Sequence, residues 1–171
     1  IFYSFPGQLG VQVPFELAGQ TTGTIVVTVG GQSSVPRTIN LDALAPGVFT
    51  VNQQGTGIAA VLHQDGVTPV TAQNPAHPNE VVVFFTTGLG AVTPALATGA
   101  RSIGNRTTTN PVVTIDNVQA AIDFSGAAPG FVGLNQINLH IPAGTRTASN
   151  IPVLVTIGGK QSNSVTIPVG P

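Results

Sequence analysis

Apolar and polar residues alternate with period two in Ile137-Asn138-Leu139-His140-Ile141, and Val11-Gln12-Val13 does the same near the other end of the chain. Such alternation predicts half-buried β-strands. Pro14 and Pro142 close the two segments, because proline has no N–H for a strand ladder. Residues 25–29 and 153–157 are apolar, largely β-branched runs that lead into Gly30-Gly31 and Gly158-Gly159. A Gly-Gly pair supplies the positive φ of a two-residue hairpin turn. More strands are predicted over 58–63, 80–86, 112–115 and 119–124, with turns at Gln64-Asp65-Gly66 and Asp116-Asn117. The run 80–86 is apolar on both faces and is expected in the middle of a sheet. Segments 72–79 and 94–110 read as loops, and no helix is expected.

The likeness of the two ends extends into a repeat. Residues 7–41 align with 135–169 without a gap. Identities fall at Gln8/Gln136, Pro14/Pro142, Val27/Val155, Thr28/Thr156, Gly30/Gly158, Gly31/Gly159, Ser34/Ser162, Thr38/Thr166 and Ile39/Ile167. Apolar exchanges such as Val11/Leu139, Val13/Ile141, Val29/Ile157 and Leu41/Val169 keep the same alternation. Looking for such self-similarity first prevents a misreading of the whole fold.

Two units follow. Residues 51–171 carry about seven strands at short spacing, the pattern of a complete immunoglobulin-like β-sandwich. Residues 1–50 hold only its last strands, so the fold expected is all-β, a complete immunoglobulin-like unit preceded by a partial one. Residues 1–4 match 122–125, and the counterparts of 58–63, 80–86 and 112–115 are missing from the first unit. Its strands still carry apolar faces at Val11, Val13, Ile25, Val27, Val29, Ile39 and Leu41. Half a sandwich cannot cover such faces. Arg37 fits badly, since it stands where the repeat has Val165.

Composition narrows the function. Charged residues are 6% of the 171, with five Lys+Arg and six Asp+Glu, against roughly 25% in an ordinary domain. Five cations cannot form the basic patch of a nucleic-acid binder. A net charge of −1 also weakens the repulsion that keeps copies apart. Without cysteine, neither a disulfide framework nor a thiolate metal site is available. The longest apolar run, residues 81–85, is too short to span a bilayer. The first residue is Ile, so the chain is expected to be a processed product or part of a longer one.

Several motifs resemble a known family. They are Leu9-Gly10-Val11-Gln12-Val13-Pro14-Phe15-Glu16-Leu17-Ala18, Ala45-Pro46-Gly47-Val48-Phe49-Thr50, Thr86-Thr87-Gly88-Leu89-Gly90 and the stretch from Ala127-Ala128-Pro129-Gly130-Phe131 to Asn135-Gln136-Ile137-Asn138. Together they are similar to the uncharacterised C-terminal domain of Solibacter type in secreted acidobacterial proteins, over nearly the whole chain. The resemblance implies export and paired immunoglobulin-like units with no assigned catalysis.

Candidate chemistry is sparse. His63, His77 and His140 have no partners at metal-ligand spacing. No Gly-x-Ser-x-Gly elbow occurs, and no motif joins Glu16, Asp42, Asp65, Glu80, Asp116 and Asp123. Lys160, the one lysine, follows a hairpin Gly-Gly and reads as an exposed turn residue. Asn105-Arg106-Thr107 fits a glycosylation sequon and is expected on a loop. With no Trp and one Tyr, a sugar-stacking platform has little to build on. No catalytic residue, cofactor or metal is expected.

The expected function is therefore structural: an extracellular or cell-surface homopolymer in which each subunit completes its neighbour's half-sandwich by strand addition. The candidate interface comprises the seven apolar face residues with two candidate donors. One donor is the N-terminal segment with Ile1, Phe2, Tyr3 and Phe5; the other is the C-terminal strand with Val165, Ile167 and Val169. The alternative is a binding or spacer module, with carbohydrate as the candidate ligand, within a larger cell-surface protein. No nucleic acid and no membrane span enter either reading.

Overall fold

The computed structural model describes residues 1–171 and is all-β, with 44% of the chain in strands. A single 3-10 turn, Phe15–Leu17, is its nearest approach to a helix. The chain forms two compact units, Ile1–Ala43 and Leu44–Pro171. The division lies ahead of the 50/51 boundary read from sequence, because Gly47 and Val48 pair with Thr87 and Thr86 of the second unit.

The first unit holds β1 (Tyr3–Phe5), β2 (Gln8–Gly10), β3 (Thr22–Ile25), β4 (Thr28–Val29), β5 (Gln32–Ser33) and β6 (Arg37–Asn40). They pair two by two, β1 with β2, β3 with β6 and β4 with β5, all antiparallel. The β4–β5 hairpin turns on Gly30 and Gly31, at φ +55° and +79°.

The second unit begins with β7 (Gly47–Val48), β8 (Val61–His63), β9 (Val81–Thr87), β10 (Val92–Thr93), β11 (Arg106–Thr107) and β12 (Val112–Ile115). It continues with β13 (Val118–Gln119), β14 (Ile122–Ala127), β15 (Asn135–His140), β16 (Ala148–Ile157), β17 (Lys160–Gln161) and β18 (Val165–Val169). One sheet runs β10-β11-β14-β15-β9-β7, with β8 also on β9; the other runs β13-β12-β16-β17, with β18 also on β16. Both are antiparallel ladders whose inward residues form one core. Val82, Phe84, Ile137 and Leu139 come from the first sheet, and Ile115, Val153, Ile157 and Ile167 from the second, all fully buried. This is a two-sheet antiparallel β-sandwich. As the pattern predicts, β9 lies inside its sheet, between β15 and the β7 and β8 segments.

Two predicted strands change sheet midway. Residues 119–124 break between Ala120, whose N–H donates to Val113 O at 2.9 Å, and Ala121, whose O accepts from His140 N–H at 2.9 Å. The chain leaves the β12–β13 sheet and enters that of β14. Similarly, Ile58 bridges Thr166 beside β18, whereas Val61–His63 joins β9. Period-two alternation continues through such crossings, so the sequence pattern reads them as single strands.

Two local devices hold the start of this unit. Gly88, at φ +72°, lies so close to the chain that a Cβ there would stand 1.8 Å from Ala45 O; Ala45 N–H in turn donates to Gly88 O at 2.9 Å. Asn163 acts on the other side of β7. Its Oδ1 accepts Val48 N–H at 2.7 Å, and its Nδ2 donates to Val48 O at 3.0 Å and Gly55 O at 2.7 Å. One amide side chain thereby fulfils the bonds of a neighbouring strand.

Candidate functional site

Each pair of strands in the first unit reproduces one of the second at the same register, apart from Thr22↔Asn40, which falls where the β16–β18 ladder is irregular. Tyr3↔Gly10, Ser4↔Leu9 and Phe5↔Gln8 stand where the second unit has Phe124↔Asn138, Ser125↔Ile137 and Gly126↔Gln136. Gly23↔Ile39, Thr24↔Thr38 and Ile25↔Arg37 repeat Ile151↔Ile167, Pro152↔Thr166 and Val153↔Val165. The hairpins correspond in the same way, Val29↔Gln32 to Ile157↔Lys160. Even the side-chain bond recurs: Ser34 Oγ accepts Val27 N–H at 3.0 Å, as Ser162 Oγ accepts Val155 N–H at 3.1 Å.

What differs is the cover. In the second unit β15 is flanked by β9 as well as β14, and β16 by β12 as well as β18. In the first unit β2 pairs with β1 alone and β3 with β6 alone. Val29 is 73% exposed where Ile157 is 1% exposed. Val11, Val13 and Ile25 are likewise exposed, while Leu139, Ile141 and Val153 are buried. Val27, Ile39 and Leu41 are half-buried. The position of Asn163 is taken by Val35, which is exposed, so the side-chain clamp has no equivalent. Arg37, facing Ile25 in the register, is exposed as well.

The two candidate donors occupy different settings. Val165, Ile167 and Val169 are core residues of the second unit, and β18 pairs with β16. They are not part of the exposed apolar surface. Ile1, Phe2, Tyr3 and Phe5 are exposed, but β1 is already the partner of β2, and Phe2 N–H donates to Gly10 O at 2.7 Å. The rings of Tyr3 and Phe5 are 5.4 Å apart and tilted by 33°. Beside them, a cleft of about 680 Å³ runs between the β1–β2 hairpin and β4, with Phe5, Leu9, Val27 and Val29 in its walls.

The histidines are tied into the second unit. His63 Nδ1 meets Glu80 Oε1 at 2.5 Å, and Glu80 Oε2 accepts His77 N–H at 2.9 Å. His77 Nδ1 reaches Pro171 O at 2.6 Å, and His140 Nε2 reaches Asp123 Oδ2 at 2.9 Å. No group of three His, Asp or Glu side chains converges to hold a metal ion. Asp65 accepts from Thr68 Oγ1 and from the N–H groups of Thr68 and Val67. The Thr68 hydroxyl first, then the two amides, hold its carboxyl down at about 2. Asp65 thus closes the turn after β8. Lys160 is exposed in its hairpin. Three of the histidine contacts join residues 17 or more apart, and no spacing in the sequence announced them.

Asn105 lies on a loop just ahead of β11, as expected, and is buried there. It is 4% exposed, its Nδ2 donates to Pro94 O at 2.6 Å, and its Oδ1 accepts from Ser102 Oγ and Ile103 N–H. Thr107 is buried too, with its hydroxyl on Ser125. The sequon is a structural element of the folded unit: the amide links two loop segments and is not offered to solvent. Nearby, the Arg106 guanidinium lies 5.1 Å from the Phe124 ring centre and covers a face that a sugar would otherwise stack upon.

No membrane-length apolar helix occurs. Comparison with protein-family models, with curated proteins and with solved structures finds no match to this chain, so the resemblance to the Solibacter-type domain rests on its motifs.

Proposed function

We propose that this chain is a non-enzymatic structural protein whose first unit is an acceptor half-sandwich, completed by β-strands from a neighbouring subunit to build an extracellular filament. One observation carries the reading. The strands of residues 1–43 reproduce those of a complete sandwich register for register, yet the inward positions Val11, Val13, Ile25 and Val29 stay exposed where their counterparts are buried. Burying an aliphatic side chain of this kind contributes about 1.5–3 kcal/mol, so covering the four gives strand addition a large driving force. Backbone pairing along an open edge supplies the register. The sparse charge of the chain removes the repulsion that opposes head-to-tail association.

A second reading has an observation of its own. Both candidate donors are engaged, β1 with β2 and β18 with β16. That favours a completing segment from outside residues 1–171, as in a spacer or binding module of a larger secreted or cell-surface protein. The Solibacter-type resemblance supports export in either case.

Electron microscopy and sedimentation of the native secreted material separate the two. The filament reading expects a regular subunit repeat that Val27→Asp abolishes while the unfolding of the second unit is unchanged. Polymers that persist in Val27→Asp overturn it. Dispersed particles whose intact mass exceeds that of residues 1–171 establish the spacer.

A further inference from the structure

The second unit contains a template for the absent cover. In it β9 runs antiparallel to β15, with Phe84 opposite Ile137 and Val82 opposite Leu139. Val82, Phe84 and Thr86 are fully buried, so these alternate residues form the inner face of β9. The residues of the first unit equivalent to Ile137 and Leu139 are Leu9 and Val11, both exposed.

We propose that the open edge of β2 receives one extended apolar strand of the β9 type, antiparallel to residues 8–13, with a large aromatic or aliphatic side chain opposite Leu9 and a β-branched one opposite Val11. The proposal rests on the reading of the first unit as an acceptor and specifies the occupant. Three facts favour an extended strand over a small ligand. The β1–β2 register equals that of β14–β15, so the free side of β2 presents the same backbone geometry that β9 uses. The cleft beside Leu9 is bounded on its far side by Val27 and Val29, the equivalents of core residues Val155 and Ile157. Its volume of about 680 Å³ exceeds several-fold the roughly 150 Å³ that admits one benzene ring. That is room for the inner face of a strand, with a Phe84-like ring entering between Leu9 and Val27. Alternate side chains in pockets and main-chain bonds along the edge are the two components of strand-addition recognition.

The test is titration of the 15N-labelled chain with a synthetic peptide of residues 80–88, flanked by two lysines at each end for solubility. The expected result is saturable 1:1 binding, with shifts and slowed amide exchange confined to residues 8–13 and to Val27 and Val29. A Phe84→Asp peptide should bind at least about a hundredfold more weakly, since a buried ring is replaced by a charge. Equal shifts with a scrambled peptide overturn the proposal, as does protection of residues 8–13 that arises from β2–β2 pairing between two copies, which makes a second β2 edge the occupant. Because a free peptide of this kind can self-associate, the same segment is also fused through a Gly-Ser linker ahead of Ile1. The fusion should raise the unfolding midpoint of the first unit, and an unchanged midpoint counts against the strand. Failure here with Val27→Asp still disrupting assembly refutes the β9-type occupant alone. Assembly indifferent to Val27→Asp refutes the acceptor reading itself.

Discussion

Replacing Asn163 with valine would give the second unit the residue that the first has at that place, Val35. The wild-type amide makes three hydrogen bonds to a segment 115 and 108 residues away, two to Val48 and one to Gly55. Each contributes a net ~1 kcal/mol, so their loss alone costs about 3 kcal/mol. Val48 is buried, and its N–H keeps no other partner on that side, which adds a desolvation penalty of about 1–2 kcal/mol. A total of about 4–5 kcal/mol is a large share of the 5–15 kcal/mol typical of a domain. The damage should be local first. Strand β7 retains Gly47 and Val48 against Thr87 and Thr86, but it loses the bonds on its opposite side. Native-state hydrogen exchange should therefore show Val48 opening well before β15 or β16, and urea unfolding of the second unit should shift to a lower midpoint. The reciprocal change, Val35→Asn, places the amide where no strand stands to receive it, and should alter stability by less than about 0.5 kcal/mol. A loss below about 1 kcal/mol for Asn163→Val, or undisturbed protection at Val48, would refute the view that this side chain stands in for a strand.

Two other outcomes are expected. The Asp65 carboxyl is held at about 2, below its ordinary 3.8, by the Thr68 hydroxyl and the two turn amides. A lowered folded-state value means its stabilisation is full above pH about 4 and is lost as pH falls through about 2; an NMR titration should show the Thr68 and Val67 amides shifting in that window, and not near neutrality. Gly88→Ala puts a Cβ 1.8 Å from Ala45 O at a φ of +72°. It should destabilise the second unit by more than about 1 kcal/mol in thermal unfolding, whereas alanine at Gly66, which has a positive φ but open space around it, should cost less.

Much of this fold was readable from local pattern. The Gly-Gly hairpins stand where the sequence put them, and Val112–Ile115, Asn135–His140 and the central strand Val81–Thr87 appear within a residue or two. The repeat extended that reading, because equivalent residues at equivalent spacing make equivalent ladders: Ile25↔Arg37 pairs as Val153↔Val165 does. The polar network at Asn105 and the His63–Glu80–His77 chain were not readable. Their members are brought together by loops whose paths depend on the packed core. The sheet changes at Ala120-Ala121 and between Ile58 and Val61 were hidden for another reason, since alternation marks which face a residue turns and not which sheet it joins.

The sequence by itself thus determined an all-β chain, its hairpins and the internal register of its two related units, because period-two alternation, glycine turns and repeat spacing act over a few residues at a time. Tertiary structure decided which apolar faces are covered. Val165, Ile167 and Val169 became core, while Val11, Val13, Ile25 and Val29 stayed exposed. The same alternating pattern occurs in both sets, but Val165, Ile167 and Val169 share one core with Val82 and Phe84 of β9 and Val113 and Ile115 of β12, all distant in sequence. Burial depends on such distant partners, and a local pattern carries no record of them.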